Sequence, residues 1–348
     1  MQKVRNYGSF LQGFALKSMI ESFGYECEFV DIEQGKIFDE LKRTPQFLLK
    51  KAVERYLKID VFTRLKYTKE FNQKFDNEIF DLLSVNKHTI TKFDTVVIGS
   101  DEVFNFAQRV PWGYTPQLYG KVQNANKVIS YAGSFGHTTI DNIEHFGVKQ
   151  EIANAMNSMA AISVRDQNSF EIVRSLTSIE PIVNVDPVLA FDYTSYVKPS
   201  NRKDYIIIYT YPNRIKDNKE ISAIRTFAKK HGKKLISVGF YFPWCDETVI
   251  PDPFEVLGYI RDADYIVTDT FHGSVMSLKF NKKFASLVRS SNKQKMTSLL
   301  QQFGLQERIV DDITKLEDIL LPESNYTTTN ETLAIESKRS YNYLEQNL

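Results

Sequence analysis

The sequence predicts an α/β fold with parallel sheets, and three observations support this prediction. Short apolar runs of strand length alternate with longer amphipathic segments along most of the chain. The runs are rich in β-branched and aromatic residues and are bounded by Gly, Pro, Asp or Ser, which is typical of buried parallel strands. With 348 residues the chain is long enough for two domains, since one domain takes roughly 100 to 200 residues.

The apolar runs place the strands in two groups. In the first half of the chain we predict strands at Glu28–Asp31, Thr95–Ile98, Lys127–Tyr131, Ala161–Val164 and Ile182–Val185. In the second half we predict them at Tyr205–Tyr209, Lys234–Val238, Tyr265–Thr268 and Phe284–Leu287. Helical periodicity fills the intervals, for example at Ser9–Ser22, Asn218–His231 and Pro253–Asp262.

A polar, charged stretch at residues 193–203 indicates a linker between two α/β domains. The first domain is predicted to span residues 1–195, with a helical insertion at about 37–84 that is dense in Lys and Phe. The second is predicted to span 204–325. Residues 326–348 have the spacing of one last helix, which we expect to pack back on the first domain.

The start of the sequence is unusual for this fold. The segment Asn6–Ser9 resembles the turn that follows a first strand, yet only five residues precede it. One interpretation is an N-cap, by Asn6 or Ser9, on an ordinary helix. We favour the second interpretation, in which the sequence begins at an internal methionine and the first strand is absent or very short. The first sheet should then lack a strand before Asn6.

Charge and composition exclude several classes of protein. The formal net charge is only +1, which argues against a nucleic-acid-binding protein. Two cysteines, Cys27 and Cys245, are too few for a disulfide framework or a cysteine-rich zinc site. No apolar run is long enough to span a bilayer, and no signal peptide is apparent. We therefore expect a cytoplasmic protein, with a peripheral position at the inner face of the membrane left open.

The most informative motif, Thr268–Ser274, follows a predicted strand. Ligands of parallel sheets bind at the carboxyl ends of strands, where the next helix presents backbone N–H groups. Gly273 permits close approach of a ligand, while Thr270 and Ser274 offer hydroxyls. His272 can act as an acid or base, because imidazole titrates near neutral pH. The alternative is a capping segment with a structural histidine, but its place at a strand end favours function.

A second motif, Gly99–Asn105, follows the strand Thr95–Ile98. The carboxylates of Asp101 and Glu102 can hydrogen-bond sugar hydroxyls or act as a base. A helix N-cap formed by Ser100 or Asp101 explains the motif equally well. Adjacent acids also suggest a metal site, but without a nearby histidine or further acids their spacing is uninformative.

Three more strand ends carry polar residues. Gly133 and Ser134 would allow a ligand close to the backbone. Arg165 directly follows a buried strand, where a guanidinium is costly unless it meets an anion such as a carboxylate or phosphate. An ion pair, with Asp166 or across the domains, is the alternative. Asp186 and the proline after it are interpreted as a turn before the linker.

Taken together and in order, these motifs resemble the polysaccharide pyruvyl transferase family over nearly the whole chain. The motifs are Asn6–Gln12, Gly99–Asn105, Ser130–Gly136, Ile162–Asp166, Asp186–Leu189 and Thr268–Gly273. The resemblance implies two Rossmann-like domains facing across a central cleft, in the GT-B-like arrangement. It also implies transfer of a pyruvyl group from phosphoenolpyruvate to sugar hydroxyls, forming a ketal on a cell-surface glycan or its precursor, without a metal or other cofactor.

Residue by residue, the resemblance makes His272 the general acid and Arg165 a contact to the phosphoenolpyruvate anion. Asp101 is our candidate for orienting or deprotonating the acceptor. Two departures leave the acceptor open: Ser9 stands where many members have an acidic residue, and Thr270 stands where some have a second arginine. We expect the substrates to be bound by Asn6, Gly8, Ser9, Gly99, Ser100, Gly133, Ser134, Thr270, Gly273 and Ser274.

The expected partners are phosphoenolpyruvate and a sugar, an oligosaccharide or a lipid-linked glycan. Two other functions remain open at this point. A GT-B glycosyltransferase would use a nucleotide sugar and needs an acidic residue for the ribose, for which Glu255 is the only candidate. A catalytically silent glycan-binding protein is the other, although His272 and Arg165 argue against it.

Overall fold

The computed structural model describes residues 3–41, 60–86, 89–108, 110–212, 214–289, 292–323 and 325–348. Its strands are β1 Phe93–Asp101, β2 Ala125–Gly133, β3 Ser163–Val164, β4 Ile182–Val183, β5 Tyr205–Tyr209, β6 Lys234–Val238, β7 Glu247–Val249, β8 Tyr265–Thr268, β9 Phe284–Leu287 and β10 Ile309–Val310.

The helices alternate with these strands. Those of the first half are α1 Tyr7–Glu21, α2 Val61–Lys74, α3 Phe80–Leu83, α4 Ile140–His145, α5 Lys149–Asn157, α6 Gln167–Leu176 and α7 Pro187–Ala190. Those of the second half are α8 Asn218–Lys230, α9 Pro253–Asp262, α10 Phe271–Lys279, α11 Lys293–Gln302, α12 Leu316–Leu320 and α13 Thr327–Asn347. A π-helical turn, Phe75–Ile79, joins α2 to α3.

The strands form two parallel sheets, which confirms the predicted α/β fold class. The first is four-stranded, in the order β1-β2-β3-β4, and the second is six-stranded, in the order β10-β9-β8-β5-β6-β7. Every pair of neighbouring strands in both sheets is parallel. The second sheet follows the sequence closely, since β5, β6, β8 and β9 have the predicted bounds. Residues of β5 are buried on both faces, as its continuous apolar run requires.

One predicted strand, Glu28–Asp31, is wrong. The backbone at 25–35 carries no strand, and the Glu28 carboxylate accepts hydrogen bonds from the backbone N–H groups of Thr89 and Ile90. A cavity of about 390 Å³ lies between this segment, helix α1 and the outer edge of β1. The cavity separates residues 28–31 from the edge of β1, so these residues do not form backbone hydrogen bonds with that strand.

The described residues before Asn6 add no strand to this edge. Residues 3–6 form no strand, and the outer side of β1 faces the cavity rather than another strand among the described residues. Asn6 is the N-cap of α1, where its side chain accepts hydrogen bonds from the backbone N–H groups of Gly8 and Ser9. The capping interpretation of Asn6 is therefore correct, whereas Ser9 lies inside the helix. That the sequence begins at an internal methionine stays a prediction.

The predicted insertion at about 37–84 is helical over Val61–Leu83, and residues 42–59 lie outside the described part of the chain. Its buried face is aromatic. Phe71 packs edge-on against Tyr7 of α1, with ring centroids 5.5 Å apart, and also against Phe240, which follows β6. The insertion therefore fastens elements of the two halves to each other.

Helix α13 begins close to the predicted residue 326 and reaches both halves of the molecule. The Thr329 hydroxyl donates to the Phe303 carbonyl (2.9 Å), and the Tyr343 hydroxyl donates to the Ser130 carbonyl in β2 (2.7 Å). The domain boundaries at 195 and 204 stay predictions. No helix within the described ranges is long and apolar enough to cross a membrane.

Candidate active site

The carboxyl ends of strands from both sheets bring four titratable side chains together. Asp101 ends β1, Arg165 follows β3 and Asp186 follows β4, while His272 lies in the first turn of α10, just after β8. Arg165 Nη2 is 3.0 Å from Asp101 Oδ1, and Arg165 Nη1 is 3.0 Å from Asp186 Oδ2. His272 Nε2 is 3.6 Å from the same Asp186 oxygen. The two sheets thus meet at one site.

Arg165 is a buried cation held by two carboxylates and a ring. Its guanidinium carbon lies 4.2 Å from the ring centroid of Phe271, which is within cation–π range. Burial by itself would lower the pKa of Arg165, but Asp101 and Asp186 outweigh it and raise that pKa. The guanidinium therefore stays charged inside the protein.

Asp101 has a left-handed backbone conformation, with φ of 65°, at the point where β1 turns away. Burial would raise the pKa of its carboxyl group, but Arg165, His272 and Lys295 lie close enough to reverse that effect. The pKa of Asp101 is thus well below its ordinary value. So weak a base is poorly suited to remove a proton from a hydroxyl, and hydrogen-bond acceptance suits it better.

Asp186 connects the two halves of the site and is fully buried. Its other oxygen, Oδ1, accepts a hydrogen bond of 3.0 Å from the Val188 backbone N–H and so caps α7. Burial would raise the pKa of Asp186, yet the neighbouring His272 and Arg165 bring it below the ordinary value. The carboxylate is therefore fixed by a cap on one side and holds both Arg165 and His272 with the other oxygen.

Helix α10 and helix α1 fix the position of His272. The Thr270 hydroxyl caps α10 by accepting a hydrogen bond of 3.0 Å from the Gly273 N–H. Across from it, Gly8 lies against the imidazole, since a Cβ atom at Gly8 would stand 2.4 Å from His272 Cγ. A side chain at position 8 would displace the ring, so the glycine of the first motif has a direct steric role.

Three buried side-chain atoms at this junction have no hydrogen-bond partner among the described residues. They are Nη2 of Arg165, Nε2 of His272 and Oγ of Ser100. Nη2 lies at ion-pair distance from Asp101 but outside hydrogen-bond geometry. Buried polar groups are nearly always paired, so a group of unpaired ones indicates a site that a polar ligand completes.

A second cation stands at the edge of this group. Lys295 Nζ of α11 lies 2.5 Å from Glu102 Oε1, which joins the second half of the chain to the loop after β1. Lys295 also lies 5.8 Å from the ring centroid of Phe271, the ring that Arg165 covers. Asn6 donates a hydrogen bond of 2.5 Å to the hydroxyl of Tyr211, which follows β5. These contacts border the junction from both sheets.

Other predicted site residues serve the backbone rather than facing the junction. Gly99 has φ of 152°, and a Cβ there would stand 2.0 Å from the Tyr131 carbonyl oxygen. A Cβ at Gly133 would meet the ring of Phe104 at 2.4 Å. These glycines are needed for close packing behind the site, so direct substrate contact by them stays a prediction.

The predicted hydroxyls are also engaged inside the fold. Ser134 donates a 2.5 Å hydrogen bond to Asp166, and Ser274 pairs with Ser286 at 2.7 Å. Ser9 lines the cavity beside β1. A Cβ at Gly273 would stand 2.1 Å from Thr268 Oγ1, so this glycine keeps α10 close to β8.

The sequence pattern does not assign two residues of this junction to the site. An Asp-Pro pair after a strand is a common local cap, so the pattern predicts only a turn at Asp186. Lys295 stands in an ordinary amphipathic helix, and nothing in the sequence around it indicates a site.

Glu255, the candidate ribose contact, instead accepts a hydrogen bond of 2.7 Å from the Asp252 backbone N–H as part of a capping box. The described residues contain no group of three His, Cys, Asp or Glu side chains that could hold a metal ion.

Several solved structures resemble this chain at low sequence identity. A UDP-GlcNAc 2-epimerase from Neisseria meningitidis matches with a TM-score of 0.49 and 11% identity, over 98% of each chain. The enzyme from Methanocaldococcus jannaschii matches with 0.46 and 12%, over 94% of this chain and 96% of that one. An O-GlcNAc transferase mutant from Thermobaculum terrenum gives 0.35 and 14%, over 72% of this chain but only 49% of its own.

A comparison with curated protein sequences gives no significant match. A family model does match, and it covers residues 6–291, which include Asn6, Asp101, Arg165, Asp186 and His272. The model describes polysaccharide pyruvyl transferases, a class of enzymes that modify polysaccharides. On the extent of this match, the chain belongs to the polysaccharide pyruvyl transferase family.

Proposed function

We propose that the protein transfers a pyruvyl group from phosphoenolpyruvate to two hydroxyls of a sugar and so forms a cyclic ketal on a glycan. The observation that carries the proposal is the junction of Arg165, Asp186 and His272, at which the buried atoms Arg165 Nη2 and His272 Nε2 lack hydrogen-bond partners. A guanidinium and an imidazole beside one another suit a small anion that must be both held and protonated.

The donor is an anion that the cations of the site would bind. The guanidinium of Arg165, whose Nη2 makes no hydrogen bond, and the ammonium of Lys295 both lie near the ring of Phe271, the first residue of α10. The N-terminal end of α10 adds partial positive charge at the same place. This arrangement provides for a carboxylate and a phosphate although Thr270 stands where some family members have a second arginine. Lys295 takes over part of that charge.

The reaction needs a proton on the methylene carbon of phosphoenolpyruvate, and His272 supplies it from Nε2. The C2 atom then carries positive charge, and the first sugar hydroxyl bonds to it and releases its own proton. Phosphate leaves with its bonding electrons, and the second hydroxyl then bonds to C2, releases its proton and closes the ketal. Of the two protons that the hydroxyls release, one restores His272 and the other leaves with phosphate. Asp186, 3.6 Å from Nε2, holds the ring in place and stabilises positive charge in the site.

The acceptor would lie on the side of Asp101 and Glu102. The low pKa of Asp101 favours a role as hydrogen-bond acceptor for a sugar hydroxyl over one as a base. Ser100 Oγ, buried and unpaired beside it, offers a further hydrogen bond. The hydroxyl attacks a strongly electrophilic carbon, so its proton can pass to water or to the leaving phosphate without a strong base.

Phosphate release from phosphoenolpyruvate, measured against a panel of glycans and lipid-linked sugars, tests the proposal. We expect release only when a suitable acceptor is present. His272→Gln should lower turnover by about 10²- to 10⁴-fold, the usual contribution of a general acid, while the affinity for phosphoenolpyruvate changes less. Arg165→Ala should instead raise the KM for phosphoenolpyruvate, and thermal melts of both variants control for loss of folding.

A thermal-shift comparison of phosphoenolpyruvate with nucleotide sugars separates this proposal from its alternatives. Stabilisation by a nucleotide sugar, and none by phosphoenolpyruvate, would favour a glycosyltransferase. If the unmodified protein bound glycans but showed no turnover, the result would favour a catalytically silent glycan-binding protein. A stable His272→Gln protein with normal turnover would remove the histidine from the mechanism.

A further inference from the structure

We propose that the outer face of helix α2, formed by Phe62, Leu65, Lys66 and Lys69, docks the protein on an anionic membrane surface. These positions are spaced i, i+3, i+4 and i+7, so they share one side of the helix. All four are exposed, and Phe62 has 89% of its side-chain surface open to solvent. The inference concerns membrane binding alone and does not depend on the proposed reaction.

The opposite side of α2 packs on the protein, so the helix cannot rotate to bury its outer face. Phe71 is buried, and the ring of Tyr67 stacks on Tyr241 at 5.3 Å and 7°. The Tyr241 hydroxyl donates to the carboxylate of Asp60, the residue that precedes the helix. Lys74 donates to the Ile250 carbonyl at 2.9 Å. The outer face is therefore a stable surface and is not the hidden side of a loose helix.

Exposed apolar residues are common singly, but this pair has lysines within one turn. Leu65 is 40% exposed and lies directly beside Lys66 and one turn from Phe62 and Lys69. A helix with an aromatic residue and leucine between lysines suits the boundary between lipid head groups and acyl chains, where apolar side chains insert and ammonium groups meet phosphates.

The charge of the surrounding sequence complements an anionic surface. Residues 42–74 contain ten Lys and Arg but only three Asp and Glu, whereas the whole chain has a net charge of +1. This stretch of 33 residues, in which the outer face lies, therefore carries a net charge of +7, while the rest of the chain carries −6. Anionic lipids attract such clusters, and the attraction weakens with salt.

The outer face also lies near the edge where the candidate active site opens. Tyr241, on which Tyr67 stacks, follows β6 at the carboxyl edge of the second sheet, the same edge from which Tyr211 and His272 emerge. Docking through α2 would bring this edge close to the lipid head groups. A lipid-linked acceptor could then reach the site without leaving the bilayer.

Vesicle co-sedimentation of the full chain tests the inference. We expect binding to vesicles that contain phosphatidylglycerol, weak binding to pure phosphatidylcholine, and release by high salt. The double variant Phe62→Ser with Leu65→Ser should bind at least tenfold more weakly, since two apolar side chains no longer insert. Lys66→Gln with Lys69→Gln should weaken binding about tenfold and flatten the salt dependence.

Helix α13 supplies a matched control. Ile335 is 66% exposed, and Lys338 lies one turn further on, also exposed. Ile335→Ser with Lys338→Gln removes the same kinds of side chain and should leave vesicle binding unchanged. Thermal melts confirm that each variant is folded, because all the substituted side chains are exposed.

Several outcomes would overturn the inference. These are unchanged binding in both α2 variants, equal binding to phosphatidylcholine, equal loss in the α13 control, or no binding by the unmodified protein. Binding to duplex DNA as strong as to the anionic vesicles would do the same, because charge alone would then act. The inference would also be overturned if the unmodified protein were a dimer and Phe62→Ser a monomer, because the outer face would then be an interface between two copies.

Discussion

The Nε2 atom of His272 lies 3.6 Å from Oδ2 of Asp186, and this contact joins the first turn after β8 to the residue that caps α7. The same Asp186 oxygen lies 3.0 Å from Nη1 of Arg165. One buried carboxylate therefore sets the distance between the candidate proton donor and the candidate anion-binding group. Changes at this carboxylate should affect folding stability and turnover together.

Asp186→Asn should destabilise the protein by about 3 kcal/mol or more and lower kcat more than it raises the KM for phosphoenolpyruvate. The loss arises because a buried arginine gives up one of its two carboxylates. Chemical denaturation and the pH profile of kcat measure the two effects. Asp312→Asn is a suitable control, because Asp312 is also an N-cap but is exposed, and this change should cost little.

The difference in folding stability between the unmodified protein and Asp186→Asn should depend on pH. The pKa of Asp186 is lower in the folded protein than in the unfolded chain. Its stabilising contribution is therefore complete above about pH 4 and declines as the pH falls further. The stability gap between the unmodified protein and Asp186→Asn should shrink in acid, and a gap that is constant with pH would contradict the ion-pair role.

Gly8→Ala should reduce both stability and turnover, while Gly13→Ala on the same helix should not. A Cβ at Gly8 would stand 2.4 Å from His272 Cγ, whereas one at Gly13 would make ordinary contact with Phe29 at 3.6 Å. Alanine in a helix interior is favoured over glycine by roughly 0.5 to 1 kcal/mol, so Gly13→Ala should be neutral or stabilising. Melting temperatures and turnover of the two variants provide the comparison.

Lys295→Met should raise the KM for phosphoenolpyruvate by about ten- to a hundredfold, the value of a lost hydrogen bond to a charged group, with a smaller effect on kcat. The reason is that Lys295, like Arg165, lies beside the ring of Phe271, at 5.8 Å from its centroid. Lys293→Met, two residues earlier and exposed, should leave both constants unchanged. A similar rise in KM for the two variants would indicate a general charge effect and remove Lys295 from the donor site.

Lys279 should make the stability of the protein rise with pH in the alkaline range. Burial lowers the pKa of this lysine to about 8, and its ammonium donates to the Leu189 carbonyl at 2.9 Å. The unfolded chain keeps its proton up to about pH 10.4, so stability increases between about pH 8 and 10, by up to about 3 kcal/mol.

Denaturation of Lys279→Met across that range checks the point, since the variant should lack the rise. Lys338→Met, an exposed lysine on α13, should keep it. Equal pH slopes in the unmodified protein and in Lys279→Met would show that other groups control the alkaline stability.

The site residues that lie at the carboxyl ends of strands could be predicted from the sequence. Asp101 ends β1, Arg165 directly follows β3 and His272 lies in the first turn of the helix after β8. A polar side chain at the carboxyl end of a buried strand is a local signal that the sequence shows by itself. Asp186 gave the same signal, but its capping role explained it completely. Only the approach of Asp186 to Arg165 and His272 in the folded protein shows that its second oxygen is engaged elsewhere, and that approach depends on how the two sheets pack.

The fold was predictable where burial is continuous and less so at sheet edges. The interior strands β5 and β8 have the predicted bounds because both faces are apolar. The edge strands β7 and β10 were missed, since strands of two or three residues leave almost no pattern. Residues 28–31 have a strand-like pattern but no neighbour to pair with, and periodicity alone cannot supply one.

Helix α13 has a mechanical consequence for the site. The chain passes from the first sheet to the second between β4 and β5, and α13 later packs Tyr343 back on β2. The insertion, through Phe71, and the ion pair between Lys295 and Glu102 also link the two halves. Because several separate links hold the two sheets together, a movement of one sheet against the other would strain all of them. The distance between Arg165 and His272 is therefore braced by contacts that lie outside the site itself.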